Sequence, residues 1–330
     1  MPNQPQITIA QAIQGYLASI ATARRENTAR AYANALQSFS LVLEDHQLSP
    51  QETPIQKLPE EAIIWFATAL KEKAPTTESL YLTVAANFYE YLIAEGLSNP
   101  NLPRVRMLIH RRARKPGQRL PQFPRDAMDK ILEYALLLSN QPTDNHAERL
   151  RNLRDRAFLI TLADTGLRVH EACALRRGDI EWFEAKAIII GKGDRQAVVR
   201  FSSRAINALR DYLDARSDMD SASGRPLTSL PLFARHDRGA GKKVKPITTT
   251  TGRNIVAQRV LECLGKTAVG TITPHSFRHY FVTRVLQGSG GNIKLAQELA
   301  RHRNIAVTQR YTHITDDELD RGYWEAIEQS

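Results

Sequence analysis

Four short segments between positions 165 and 313 carry side chains suited to chemistry on a phosphodiester. TGLRVHEACAL holds Arg168, GKGDR holds Lys192, PHSFRHYF holds His275 and Arg278, and ELARHRNIAVTQRYTH holds His302 and Tyr311. Together they supply two guanidiniums, one amine, two imidazoles and one phenol. Two guanidiniums can grip the non-bridging oxygens of a phosphate and neutralise charge that develops on it. A phenol can attack phosphorus in line if a base helps remove its proton. A lysine at a hairpin tip can protonate the departing 5′ oxygen.

Each segment alone says little. An arginine at a helix start is usually a surface or capping residue, and a hairpin lysine is usually just solvated. His275 and His279 stand four apart, as half a zinc site would, but Ser276 occupies the place where a metalloprotease motif needs glutamate. A lone tyrosine is more often packed than nucleophilic. The argument rests on all six groups appearing together, in order, within one stretch.

The surrounding pattern shows what must position them. Residues 8–110 read as four helices, with Ile9, Ile13, Leu17 and Ile20 on one face of the first. The second is capped by Asn27, Pro59 opens the third, and the fourth ends at Gly96. The stretch 110–121, HRRARKPGQRLP, reads as an exposed basic linker, with Arg111, Arg112, Arg114 and Lys115 as candidates for contact with DNA phosphates. Helices are expected at 125–140, 147–165, 203–216, 249–264, 275–287, 292–300 and 305–311. Short strands are expected in DIEWF, KAIII and QAVVRF, with GKGDR as the turn between the last two. The Ser-, Gly- and Pro-rich stretch 217–248 reads as a long surface loop.

Composition narrows the partners. The chain has 330 residues and a formal net charge of +10, which points to a polyanion: nucleic acid or an anionic membrane surface. No stretch is apolar enough to span a bilayer, and no helix pairs a basic face with an aromatic one. The N-terminus shows no signal-peptide pattern. Two cysteines, Cys173 and Cys263, build neither a disulfide framework nor a four-thiolate zinc site.

The order Arg168, Lys192, His275-x-x-Arg278, His302, Tyr311 resembles the tyrosine recombinase, or phage integrase, family over most of 120–315, and more weakly through the N-terminal helices. The resemblance implies that Arg168 and Arg278 clamp the phosphate, Lys192 is the general acid and His275 acts as base or orienting group. It further implies that His302 hydrogen-bonds the phosphate, Tyr311 is the nucleophile and Glu171 helps order the site. One departure stands out: Ala300-Arg301-His302 replaces the family's frequent Leu-Gly-His.

The implied fold has two domains. An all-α core-binding (SAM-like) domain at 1–109 is joined by the linker at 110–121 to a mixed α+β catalytic domain at 122–330 with a small antiparallel sheet. The implied activity is site-specific recombination or integration through a 3′-phosphotyrosyl intermediate and strand exchange, with no cofactor and no metal. The partners are double-stranded DNA bearing specific sites and further copies of the chain, as a tetramer on DNA and a monomer off it, in the bacterial cytoplasm. With no room for an extra arm-binding domain, a Xer-like or mobile-element architecture is expected. The tail after Tyr311 is expected to dock on a neighbouring protomer. The readings weighed against this are a type IB topoisomerase, a catalytically silent DNA-binding protein and a membrane-surface protein.

Overall fold

The computed structural model describes residues 7–24, 26–114, 124–190, 196–237, 239, 241, 243–302, 304 and 308. The chain divides into two compact units, Met1–Arg119 and Leu120–Ser330.

The first unit is helical. Helix α1 (Ile9–Ala23) opens with a capping box: Thr8 Oγ1 accepts the Gln11 N–H, and Gln11 Oε1 accepts the Thr8 N–H at 2.9 Å. Helices α2 (Glu26–Asp45), α3 (Ala62–Ala69) and α4 (Pro75–Ala94) follow. A fifth, α5 (Leu102–Arg112), joins the four that were expected. Their apolar faces meet in one core that includes Tyr16, Leu36, Phe39, Phe66 and Phe88. Each fully buried aromatic there is worth about 1.5–3 kcal/mol.

Helix α5 corrects the linker reading. Asn101 Oδ1 caps it, Pro103 sits in its first turn, and His110, Arg111 and Arg112 complement the negative end of its dipole. Arg111 and Arg112 are therefore helical. Arg114 turns back into its own unit: Nε donates to Glu78 Oε2 at 2.5 Å and Nη2 to the Lys73 carbonyl at 2.5 Å. Glu78 is fully buried and also receives Lys71 Nζ at 2.8 Å. Burial works to raise its pKa, but the hydrogen bonds from Lys71 and Arg114 prevail and hold it down to about 2. Lys115 lies outside the described residues.

In the second unit, α6 (Arg125–Leu137), α7 (His146–Thr165) and α8 (Val169–Ala174) lead to an antiparallel sheet of β1 (Ile180–Glu181), β2 (Lys186–Ile190) and β3 (Gln196–Arg200), in that spatial order. Helices α9 (Ser203–Ala215), α10 (Ser217–Ser221), α11 (Thr249–Leu264), α12 (Pro274–Gly288) and α13 (Ile293–Ala300) complete it. Helix α7 is buried around most of its circumference, so it is the axis of the unit rather than a surface helix. Its Asp155 receives the neighbouring Arg154 and, at 3.0 Å, Nε of Arg259 on α11.

The stretch 217–248 is not a surface loop throughout. It begins with α10, and Leu230, Leu232, Phe233 and Ala234 within it are fully buried. Arg216, itself inaccessible to solvent, secures it by donating to the Leu232 and Pro231 carbonyls and pairing with Asp220. Its polar composition conceals these four apolar residues. The segment 305–311 is outside the described residues apart from Thr308.

Candidate active site

The site begins where α7 ends. Gly166 takes the left-handed conformation (φ 59°, ψ 22°) that closes a helix, and its N–H donates to the Leu162 carbonyl at 3.2 Å. Two residues later Arg168 is the N-cap of α8. Glu171, in the first turn of α8, reaches back. Its Oε2 accepts the Arg168 N–H at 2.8 Å and its Oε1 accepts Nη1 of the Arg168 side chain at 3.0 Å. One carboxylate thus fixes both ends of Arg168, whose side chain stays 44% exposed and able to meet a ligand. Burial works to raise the Glu171 pKa. The Arg168 N–H, then the charges of Arg301 and Arg168, outweigh it and leave it below the ordinary carboxylate value.

Arg278 arrives from α12, which Pro274 opens at its first position. It is almost wholly buried. Nη1 donates to the Gly166 carbonyl at 2.5 Å, and Nη2 donates to the Ala300 carbonyl at the end of α13. The glycine that turns the chain toward Arg168 therefore also supplies an acceptor for Arg278.

His275 lies one turn before Arg278, and its ring meets that of His279 edge to face, centroids 4.3 Å apart. His302 follows α13 and its Nδ1 lies 2.9 Å from Thr308 Oγ1. Burial lowers the His275 pKa, helped by the charges of Arg278 and Arg168. Burial, then Arg278, Arg168, His275 and Arg301, push His302 down to about 4. Burial, then His275 and Arg278, push His279 to about 4 as well. The imidazoles are neutral at pH 7 and each has a nitrogen able to accept a proton. Among the described residues no three His, Cys, Asp or Glu side chains are grouped as a metal would need.

The structure thus gathers Arg168, Glu171, His275, Arg278 and His302 around one turn. Lys192, between β2 and β3, and Tyr311 lie outside the described residues. Arg111, Arg112 and Arg114 belong to the first unit. One participant was not singled out from the sequence, the Gly166 carbonyl; Arg301 stands out there as a departure that adds positive charge beside the site, but its contacts with Glu171 and Gly166 do not. A main-chain acceptor has no residue-type signal, although the Gly in TGLR is a helix-end signal.

A model of the phage integrase family matches residues 135–318, more than half of the chain. This chain belongs to the phage integrase family of tyrosine recombinases. Similarity to individual members agrees. It is 33% identical to tyrosine recombinase XerC of Pelobacter propionicus over 244 residues, covering 73% of this chain and 70% of that protein. It is 30% identical to XerC of Treponema denticola over 289 residues, 86% of this chain and 88% of that one. It is 29% identical to XerD of Mycobacterium tuberculosis over 320 residues, 93% of this chain and 94% of that one. In fold, the recombinase resembles XerH site-specific recombinase bound to difH (TM-score 0.68, 16% identity, 98% of this chain and 85% of that one). It also resembles the Tn1549 transposon integrase in complex with a circular intermediate DNA (TM-score 0.66, 18% identity, 97% and 99%). The expected architecture, an all-α part and a mixed α+β part with a small antiparallel sheet, is observed, and the second part is mostly helical.

Proposed function

We propose that this site-specific recombinase cleaves and rejoins DNA with Arg168 and Arg278 as the phosphate clamp and Tyr311 as nucleophile. The observation that supports this reading is the shared turn at Gly166, which sets two guanidiniums beside neutral His275 and His302.

The Tyr311 hydroxyl attacks the scissile phosphorus, and His275 accepts or directs its proton. A P–O bond to tyrosine forms as the P–O5′ bond breaks. Lys192 gives a proton to the departing 5′ oxygen, leaving a 3′-phosphotyrosine and a free 5′ hydroxyl. The 5′ hydroxyl of a partner strand then attacks that phosphorus and releases Tyr311. One phosphodiester is exchanged for another, so no nucleotide hydrolysis is required. Arg168, Arg278 and Lys192 supply positive charge to the transition state, and His302 adds a hydrogen bond to it. Glu171 orders Arg168.

The partner in this reading is duplex DNA carrying specific sites, bound by the 1–109 domain together with the catalytic domain, 122–330. Lys115 and its neighbours contact phosphate, and four copies assemble on paired sites in the bacterial cytoplasm. No helix among the described residues is long and apolar enough to cross a membrane.

The test uses duplexes selected for binding from a random-sequence pool, then nicked beside the cleavage point so that the released fragment diffuses away. The full chain should accumulate a covalent adduct, and Tyr311→Phe should abolish it while DNA affinity stays within about threefold. An adduct that persists in the Phe variant rejects Tyr311 as nucleophile.

A further inference from the structure

Arg301 occupies a position that its backbone disfavours. The His302 N–H donates to the Gln297 carbonyl and the Arg301 N–H to the Glu298 carbonyl, both at 3.0 Å. This paired pattern closes α13 and needs a left-handed residue, a role usually filled by glycine because a Cβ is strained there. Arg301 accepts that conformation, with φ 58° and ψ 43°.

Its side chain is directed inward and is only 12% exposed. Nη2 donates to Glu171 Oε2 at 3.2 Å and lies 3.4 Å from the Gly166 carbonyl oxygen. These are the acceptors that hold the two clamp arginines: Glu171 for Arg168, the Gly166 carbonyl for Arg278. One guanidinium therefore touches both supports. Its Nε and Nη1 are buried with no hydrogen-bond partner among the described residues.

Stability does not account for this residue. The left-handed backbone counts against the folded state, and burying this charge offsets much of what its pairing with Glu171 gains. Sites that break local rules in this way are characteristically functional.

We propose that Arg301 is a positioning residue for the phosphate clamp. It holds the Glu171 carboxylate against the Gly166 carbonyl and so fixes the spacing at which Arg168 and Arg278 meet the scissile phosphate. This rests on the reading of those two arginines as the clamp. The residue governs the rate of cleavage and contributes little to folding or to DNA affinity.

The experiment compares the full-length chain with Arg301→Gly and Arg301→Lys on the nicked duplex, reading single-turnover adduct formation, gel-shift affinity and thermal midpoint. Arg301→Gly should leave the midpoint unchanged or raised, since glycine suits the left-handed turn. Affinity should stay within about threefold, while cleavage slows by roughly 10-fold to 100-fold, the range expected when reacting groups are misplaced by an ångström. Added methylguanidinium should restore part of the rate in this variant and none in the wild type, because the glycine leaves a guanidinium-sized space. Arg301→Lys keeps the charge without the fork and should fall between the two.

A wild-type rate in Arg301→Gly overturns the proposal. So does a parallel fall in midpoint, affinity and rate, or loss of folding in both variants, since Arg301 would then be a prop of the fold. If the wild-type chain forms no adduct, the clamp reading itself fails and this inference falls with it. An adduct in the wild type with no loss in Arg301→Gly rejects only the positioning role.

Discussion

Phe281 lies so close over Gly166 that a Cβ added to the glycine would stand 2.4 Å from its Cδ1. The aromatic ring of α12 and the bare end of α7 are thus fitted together directly beside the acceptor of Arg278. Gly166→Ala meets both this clash and the left-handed conformation. The conformation costs roughly 1 kcal/mol and the overpacking about 1–3 kcal/mol more. The second unit should lose about 2–4 kcal/mol in denaturant unfolding, and cleavage should fall further than stability alone explains. Adding Phe281→Leu should recover part of the loss, and failure to recover any would show that the ring is not the obstacle.

Acid should weaken the second unit through histidines held neutral. His236 is buried, with Nε2 2.7 Å from the Tyr212 hydroxyl. Burial, then the charges of Arg154, Arg216 and Arg151, push its pKa from 6.5 to about 3. An unfolded chain takes up this proton first, so the contribution is full above about pH 6.5 and is lost as pH falls toward 3. Its slope is at most about 1.4 kcal/mol per pH unit. Unfolding midpoints at pH 7, 6, 5 and 4 should show a steeper decline for the wild type than for His236→Gln. Equal slopes would mean that His236 does not carry the effect.

Cleavage by the free enzyme should tolerate acid better than an ordinary histidine would allow. His302 is depressed to about 4, and His275 also lies below its usual value. The acid limb of kcat/KM should therefore fall well below pH 6.5. A limb centred at 6.5 or above would show that these imidazoles are not the groups being titrated.

Lys192 is assigned the general acid, and sulfur chemistry separates that role from phosphate contact. Lys192→Ala should slow cleavage of ordinary DNA by about 10²–10⁴-fold. A 5′-bridging sulfur leaves without a proton, so on that substrate the variant should recover most of its rate. Arg278→Ala should not recover, because it lacks charge stabilisation rather than a proton. No rescue of Lys192→Ala would place the proton elsewhere.

In the first unit, Glu78 binds the end of α5 to α4 through Arg114 and Lys71. Glu78→Gln should destabilise that unit by about 2–3 kcal/mol, less than a fully buried pair because both cations are partly exposed. Since the Glu78 pKa is depressed to about 2, its contribution is complete above about 4.5 and disappears as pH falls toward 2. Hydrogen exchange should show faster opening of α4 and α5 at pH 7, with the difference from wild type shrinking in acid.

Much of this architecture can be read from residue order, and the exceptions have physical causes. Helices α1, α2 and α4 announce themselves by apolar periodicity, and KAIII and QAVVR pair antiparallel as expected, Ile188 opposite Val198. Helix α5 was hidden because proline and clustered arginines look like a linker, although proline in the first turn and basic residues in the last suit a helix. Leu230–Ala234 was hidden because serine, glycine and lysine surround a short apolar run. The side chains at the site were legible by chemical type. The contacts that hold them were less so, because several end on the backbone.

Arg278 donates to the main-chain carbonyls of Gly166 and Ala300. A carbonyl is present whatever amino acid is encoded, so no codon change at either position can delete the acceptor itself. Inheritance therefore acts on these two acceptors through the path of the chain: through the ring of Phe281, the missing Cβ of Gly166 and the turn at Arg301. Damage to this guanidinium's seat will be found in variants that bend backbone, at positions where a comparison of side-chain chemistry alone would predict none.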